Sequence, residues 1–370
     1  MKSGKGISTK VLKTALYGLY LFFIVFLLLE VSLRIYQPFR FRIKADRILL
    51  PVNEKEIIRN RINPKLDPVI IVSRNSLGFR GPDTLLNFHE YLSIITVGGS
   101  TTECHFLGDE HTWPYLLGKE LAHDFKKVWV NNAGLDGHST FGHQILLDDH
   151  IKKIKPKVVL FLTGVNDIEN SGPSYFDKLT IKNAYPDFIH YVYNNSEVIN
   201  AAVNIARGQR ANMFNNTTQE MKVPGAMGVL NLNQSEINEK LLKQQKFIDG
   251  YGTRIAALID TCKQNDIMPV FVTQPCLYGH GTDSLTGVNL ATAKVEEHMN
   301  GALLEALIDA YNNKMKAVCE NRSAACIDLE SMMPKCSLYY YDQTHYTNQG
   351  AEMVANLIGQ KMRDILTGRY

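Results

Sequence analysis

Several features are scarce or missing in this chain of 370 residues, and each absence narrows what the chain can be. Its six cysteines (Cys104, Cys262, Cys276, Cys319, Cys326 and Cys336) form no C-x-x-C pair, and no His/Cys cluster has zinc-ligand spacing. No metal and no cofactor is therefore expected. There is no internal repeat, which excludes a solenoid or propeller. There is no large excess of either charge, the formal balance being +3 with 21% charged residues. With 45% hydrophobic residues the chain is not of the disordered class. Only one long apolar run is present, Thr14 to Leu33, so a multispan membrane protein is excluded. That run lacks small residues at its end for signal-peptide cleavage, since it continues Glu30-Val31-Ser32-Leu33-Arg34 into Ile35-Tyr36-Gln37-Pro38. No cysteine follows closely enough for lipid attachment. The expectation is a retained anchor, about 20 residues for a hydrocarbon core of roughly 30 Å.

What charge there is sits unevenly. Residues 1–47 hold nine Lys/Arg against Glu30 and Asp46, which leaves the rest of the chain slightly acidic. A basic end beside an apolar run suits anionic lipid headgroups, and an acidic body argues against nucleic acid as a partner. Lysines precede the run (Lys2, Lys5, Lys10, Lys13) and basic residues follow it (Arg40, Arg42, Lys44, Arg47), so charge alone leaves the orientation tied. Glu30 and Arg34 are spaced to pair at the membrane boundary. The cysteines are compatible with an oxidising compartment. A Cys276–Cys336 bridge is conceivable, although buried free thiols are the plainer reading.

Residues 1–13 read as a basic tail, 14–33 as the membrane helix, and 34–90 as a proline-containing connector that packs along the domain. Residues 91–370 form the main domain. There strands at 92–97, 128–132, 158–162, 268–273 and 324–329 alternate with helices over 113–125, 141–154, 237–264, 291–320 and 347–366. Alternation of this kind predicts a parallel five-stranded sheet between two layers of helices, an α/β/α sandwich. Residues 171–235 interrupt the pattern as an insertion rich in Asn, Tyr and Phe (Tyr175, Phe176, Tyr185, Phe188, Tyr191, Tyr193). It leaves the sheet where it can wall the cleft, meet the membrane or form a satellite core.

Three of the predicted strands end in small or amide residues. The first runs into Val97-Gly98-Gly99-Ser100-Thr101-Thr102, the second into Asn131-Asn132-Ala133-Gly134, and the third into Gly164-Val165-Asn166-Asp167. Ligands of open parallel sheets bind outside the carboxyl ends of the strands. Far downstream stands Asp342-Gln343-Thr344-His345. A serine hydroxyl needs a base to become a nucleophile, and a carboxylate to orient that base. Each block alone is unspecific, since Asp342, Asn166 and His345 all suit turns and helix caps.

In this order, the four blocks resemble those of the SGNH (GDSL-like) hydrolase superfamily, over roughly Leu92 to Leu366. The first block reads Gly-Gly-Ser-Thr where the family name implies Gly-Asp-Ser-Leu, which weakens any inference about substrate from it. The resemblance implies a flavodoxin-like sheet and a Ser100–His345–Asp342 triad. It also implies an oxyanion hole from the Ser100 and Gly134 backbone N–H groups and the Asn166 side chain. Asp167 reads as loop support. His105, His111, His138 and His143 read as structural or exposed, with His138 and Ser139 candidates to line the cleft. The expected activity is a serine esterase removing O-acetyl or short acyl groups from a surface or secreted glycan. Resemblance to anchored bacterial members places that domain outside the cytoplasmic membrane, in the periplasm or at the cell surface. The rivals are an O-acetyltransferase working with a multispan membrane partner, a lipid esterase or thioesterase, and a non-catalytic assembly subunit retaining the fold.

Overall fold

The five apolar runs pair as one parallel sheet in the computed structural model of the protein. The structure describes residues 9–36, 43–44, 47–61, 63–174, 177, 191–192, 195–214, 225 and 227–369. The strands are β1 (Leu92–Gly98), β2 (Val128–Asn132), β3 (Val158–Leu162), β4 (Met268–Val272) and β5 (Ala325–Ile327), in the order β5-β4-β3-β1-β2. Residue pairs such as Leu92 with Val128 and Ile94 with Val158 set the register. β1 and β3 are buried at every position, the signature of strands covered on both faces. The connecting helices are α1 (Trp113–Leu121), α2 (Thr140–Leu146), α3 (Gln234–Gln264), α4 (Gly301–Asn321) and α5 (Asn348–Leu366). On one face Leu92, Ile94, Leu160 and Val270 join Trp113 and Leu117 of α1 and Val354, Ile358 and Met362 of α5 in a single apolar cluster. On the other, Phe161 stacks on Phe271 with centroids 4.8 Å apart, and α3 packs against α2 and α4. The α/β/α sandwich is thus as expected.

The chain crosses from β1 to β2 on one side and then returns to β3 on the other, so the order of strand addition reverses at β1. Such a switch point opens a crevice at the carboxyl ends of the strands.

Two helices differ from the sequence expectation. The helix predicted over 291–320 begins only at Gly301, because Asn300 caps it, its side chain accepting from Leu303 N–H at 3.0 Å. Upstream, the Asn289 side chain accepts from the N–H groups of Ala291 and Thr292, a local turn that competes with helix. The helix predicted over 141–154 widens into a π turn at Leu147–Ile151 before one last α turn. All six cysteines are free, so Cys276 and Cys336 form no bridge.

The chain divides into two compact units, 50–178 with 219–370, and 1–49 with 179–218. The second holds the helix Thr9–Ile35, which is long and apolar enough to cross a membrane by length and composition. Its Glu30 pairs with Arg34 at 2.7 Å, as the spacing predicts. Glu30 also accepts from Ser196 Oγ and from the N–H groups of Glu197 and Val198, at 2.8–3.1 Å. It thereby satisfies the first turn of the helix Glu197–Phe214, whose own N–H groups lack intrahelical partners. The aromatics Tyr175, Phe176, Tyr185, Phe188 and Tyr193 lie outside the described residues, and Tyr191 is exposed.

From Leu50 onward the connector belongs to the unit that contains the sheet. Glu54–Arg59 and Val69–Arg74 form an antiparallel hairpin, and Arg80 then pairs its backbone with Asn132 at the end of the edge strand β2. The Arg80 guanidinium is buried and donates to the carbonyls of Glu103, Cys104 and Leu107, each at 2.8 Å, and to Asp109. It thereby folds the segment just after Ser100 around one cation. Arg80→Ala leaves those acceptors buried and unmatched. It should cost about 3–5 kcal/mol in a denaturant titration, whereas Lys55→Ala on the exposed hairpin face should stay within about 0.5 kcal/mol.

Candidate active site

Ser100 opens a one-turn helix, Ser100–Glu103, directly after β1 and Gly99. A β-carbon on Gly99 would stand 2.3 Å from Asn166 Nδ2, so only glycine lets the asparagine amide lie against the serine turn. As the first helical residue, Ser100 carries an N–H at the end of the helix where such groups find no intrahelical acceptor. Asn166 sits in a 3₁₀ turn after β3. Its Nδ2 donates one hydrogen to the His138 carbonyl at 3.0 Å, which orients the amide and leaves its second hydrogen available.

The Asp342–His345 loop leads into α5 and reaches Ser100 across 245 residues of sequence. His345 Nε2 lies 2.7 Å from Ser100 Oγ, and His345 Nδ1 lies 2.7 Å from Asp342 Oδ2. The other oxygen, Oδ1, accepts from the N–H groups of Thr344 (2.9 Å) and His345 (2.8 Å), so both oxygens of Asp342 are fixed. Tyr341 stacks on the imidazole with centroids 5.5 Å apart and an interplanar angle of 8°, and the exposed Phe106 meets Tyr341 edge-on.

The electrostatics follow from these contacts. Desolvation opposes the charge on Asp342, but His345 and the two N–H donors outweigh it and hold the carboxyl below its ordinary value. For His345, desolvation pulls the imidazole down, while the Asp342 charge and hydrogen bond more than reverse this. The ring ends above its ordinary 6.5. Nδ1–H is thereby assigned toward Asp342, which leaves Nε2 to face the serine as acceptor.

Of the sequence candidates, the structure brings Ser100, His345, Asp342 and Asn166 into one cluster. Gly134 lies beside the serine helix, yet its N–H is donated to Asn132 Oδ1 at 2.8 Å, which removes it as a ready donor. Asp167 is fully buried and accepts from the Thr140 N–H and hydroxyl and from Arg254. Burial pushes it up to about 6, against the pull of Thr140 and Arg254, and its place is loop support. His138, His143 and Ser139 are buried rather than open to the cleft. His143 is pushed down to about 4 by desolvation and stays neutral at physiological pH. No group of three or more His, Cys, Asp or Glu suited to a metal occurs among the described residues. One buried carboxylate escaped sequence reasoning. Asp177, in Ser174-Tyr175-Phe176-Asp177, has no motif around it, and only its burial and partners reveal it.

Residues 95–353 match the family described as GDSL-like Lipase/Acylhydrolase. No curated protein gives a significant sequence match. Among solved structures, an acetylxylan esterase from Geobacillus stearothermophilus is 11% identical over 73% of this chain and 93% of its own, with a TM-score of 0.41. A GDSL-like lipase from Bacteroides thetaiotaomicron is 12% identical over 77% and 93%, with a TM-score of 0.40. An α/β hydrolase from the metagenome of Lake Arreo, Spain, is 13% identical over 72% and 94%, with a TM-score of 0.41. With the family match spanning well over half its length, the chain belongs to the GDSL-like lipase/acylhydrolase (SGNH) family of hydrolases.

Proposed function

We propose that the protein is a serine esterase whose nucleophile is Ser100, and that the observation carrying this reading is the unbroken Ser100–His345–Asp342 hydrogen-bond chain. His345 Nε2 takes the hydroxyl proton as Oγ attacks an ester carbonyl, while Asp342 holds the opposite nitrogen and stabilises the imidazolium. The oxyanion that forms is met by the Ser100 N–H and by Asn166 Nδ2, with Gly134 joining only if its bond to Asn132 opens. Collapse expels the alcohol with the proton from His345 and leaves an acyl-serine. Water, deprotonated by the same histidine, then releases the acid.

The substrate class we favour is an O-acetylated or short-acylated glycan outside the cytoplasmic membrane. The apolar N-terminal helix supports a protein held at a membrane, and the exposed Phe106 beside Tyr341 supports an apolar face for a sugar ring. The anchoring helix also supports a second reading, a lipid esterase at the membrane surface. Turnover of acetyl against octanoyl chromogenic esters, with acetylated glycan as competitor, separates the two. Preference for acetyl with competition by glycan favours the first, and preference for octanoyl the second.

Three outcomes are expected. Ser100→Ala, His345→Ala and the double variant should be about equally inactive, because the groups act as one unit; an active single variant would contradict the assignment. Asn166→Ala should lower kcat about 100- to 1000-fold at nearly constant KM. The third concerns pH. His345 must be neutral to act, so kcat/KM should be lost as pH falls through a value above the ordinary 6.5. Asp342→Asn removes the upward pull, so the inflection should move down in pH while the rate falls.

A further inference from the structure

Asp177 lies where the insertion expected from the sequence begins, and its side chain is fully buried. Its Oδ1 accepts from the N–H groups of Ser139 at 2.7 Å and Gly142 at 3.1 Å. Its Oδ2 accepts from Ser139 Oγ at 2.7 Å and from the N–H and hydroxyl of Ser174 at 2.9 and 3.0 Å. Neutral donors supply all five bonds, unlike those of Asp167, which has Arg254. A β-carbon on Gly142 would stand 2.5 Å from Asp177 Oδ1, so the third position of α2 holds the one residue type that admits the carboxylate. The bonds of Asp177 therefore fix the residues at the start of α2.

What Asp177 grips is the segment that orients the oxyanion donor. Ser139 follows His138 directly, and the His138 carbonyl holds Asn166 Nδ2 at 3.0 Å. From this chain of contacts we infer that Asp177 is a positioning residue for the reaction, acting through His138 and Asn166 rather than on substrate. The inference rests on the esterase reading above. Asp167 clamps Thr140 from the residue after Asn166, so the two carboxylates grip interleaved residues of the same turn at the start of α2. Asp177 ties it to the first residues of the expected insertion. A displaced His138 carbonyl would free the asparagine amide to rotate, and the second hydrogen would no longer meet the oxyanion.

The test is a double-mutant cycle on the full-length protein in detergent, with p-nitrophenyl acetate as substrate. Asp177→Ala should lower kcat about 10- to 100-fold with little change in KM, the scale expected of a catalytic group displaced by about an ångström. In an Asn166→Ala background the same substitution should change kcat by less than about twofold, because the group it acts through is already gone. Asp177→Asn keeps the Oδ1 acceptor for Ser139 and Gly142 and should recover part of the loss; if the alanine variant does not fold, the cycle is read on the asparagine variant. An equal loss in both backgrounds, or full kcat in a folded Asp177 variant of lowered melting temperature, would overturn the inference while leaving the esterase reading intact. A wild-type protein inert toward the ester, or Asn166→Ala at full kcat, would overturn the esterase reading and this inference with it.

Discussion

A single hydrogen bond, from Ser100 Oγ to His345 Nε2 at 2.7 Å, joins two loops 245 residues apart, and much of the domain serves to keep it short. The serine is fixed by β1, whose seven residues are all buried between the edge strand β2 and the central strand β3. The histidine is fixed by the start of α5, whose Thr347 cap accepts from Gly350 N–H and whose apolar face packs into the same cluster as α1. The Asp342 carboxylate shapes the histidine loop locally, but local contacts alone would not bring the two loops together. Each is held because the crossovers of a parallel sheet place both at its carboxyl edge.

Buried or half-buried carboxylates recur around that bond, and each answers the cost of leaving water in its own way. Asp342 is met by an imidazole and two N–H groups, Asp167 by Arg254 and Thr140, and Asp177 by backbone and serine donors. The consequences differ accordingly. The first sets the protonation of the base, and the other two hold the turn from which the His138 carbonyl aims Asn166. Arg80 is the counterpart of opposite sign, a buried cation spent on the carbonyls of the segment after Ser100. Through it the region before the sheet, which reads from sequence as a mere connector, becomes part of the frame around the site.

The sheet was legible because its strands are short continuous apolar runs, three of them leading into glycine or amide residues, and that punctuation survives without tertiary context. The juxtaposition of Ser100, Asn166, Asp342 and His345 was legible because the chemistry proposed for them imposes residue types, just past strand ends for Ser100 and Asn166 and in the loop before α5 for Asp342 and His345. Gly134 shows where that logic stops: a motif names the residue, but whether its N–H is free depends on the Asn132 side chain two positions back. The start of α4 was misplaced by ten residues, since helix-forming Ala291 to Glu297 is overruled by the Asn289 turn and the Asn300 cap. Asp177 and Arg80 were invisible for a simpler reason. Most of their partners are backbone groups, which leave no mark in the order of side chains.

The central claim is that Ser100 carries the acyl group, and its most direct measurement is mass spectrometry of the protein quenched in acid during turnover of p-nitrophenyl acetate. The account predicts one acetyl group per chain on the peptide containing Ser100, appearing with a burst of nitrophenol and absent in Ser100→Ala. Acetyl on another residue, or steady hydrolysis by the Ser100→Ala protein at the wild-type rate, would contradict it.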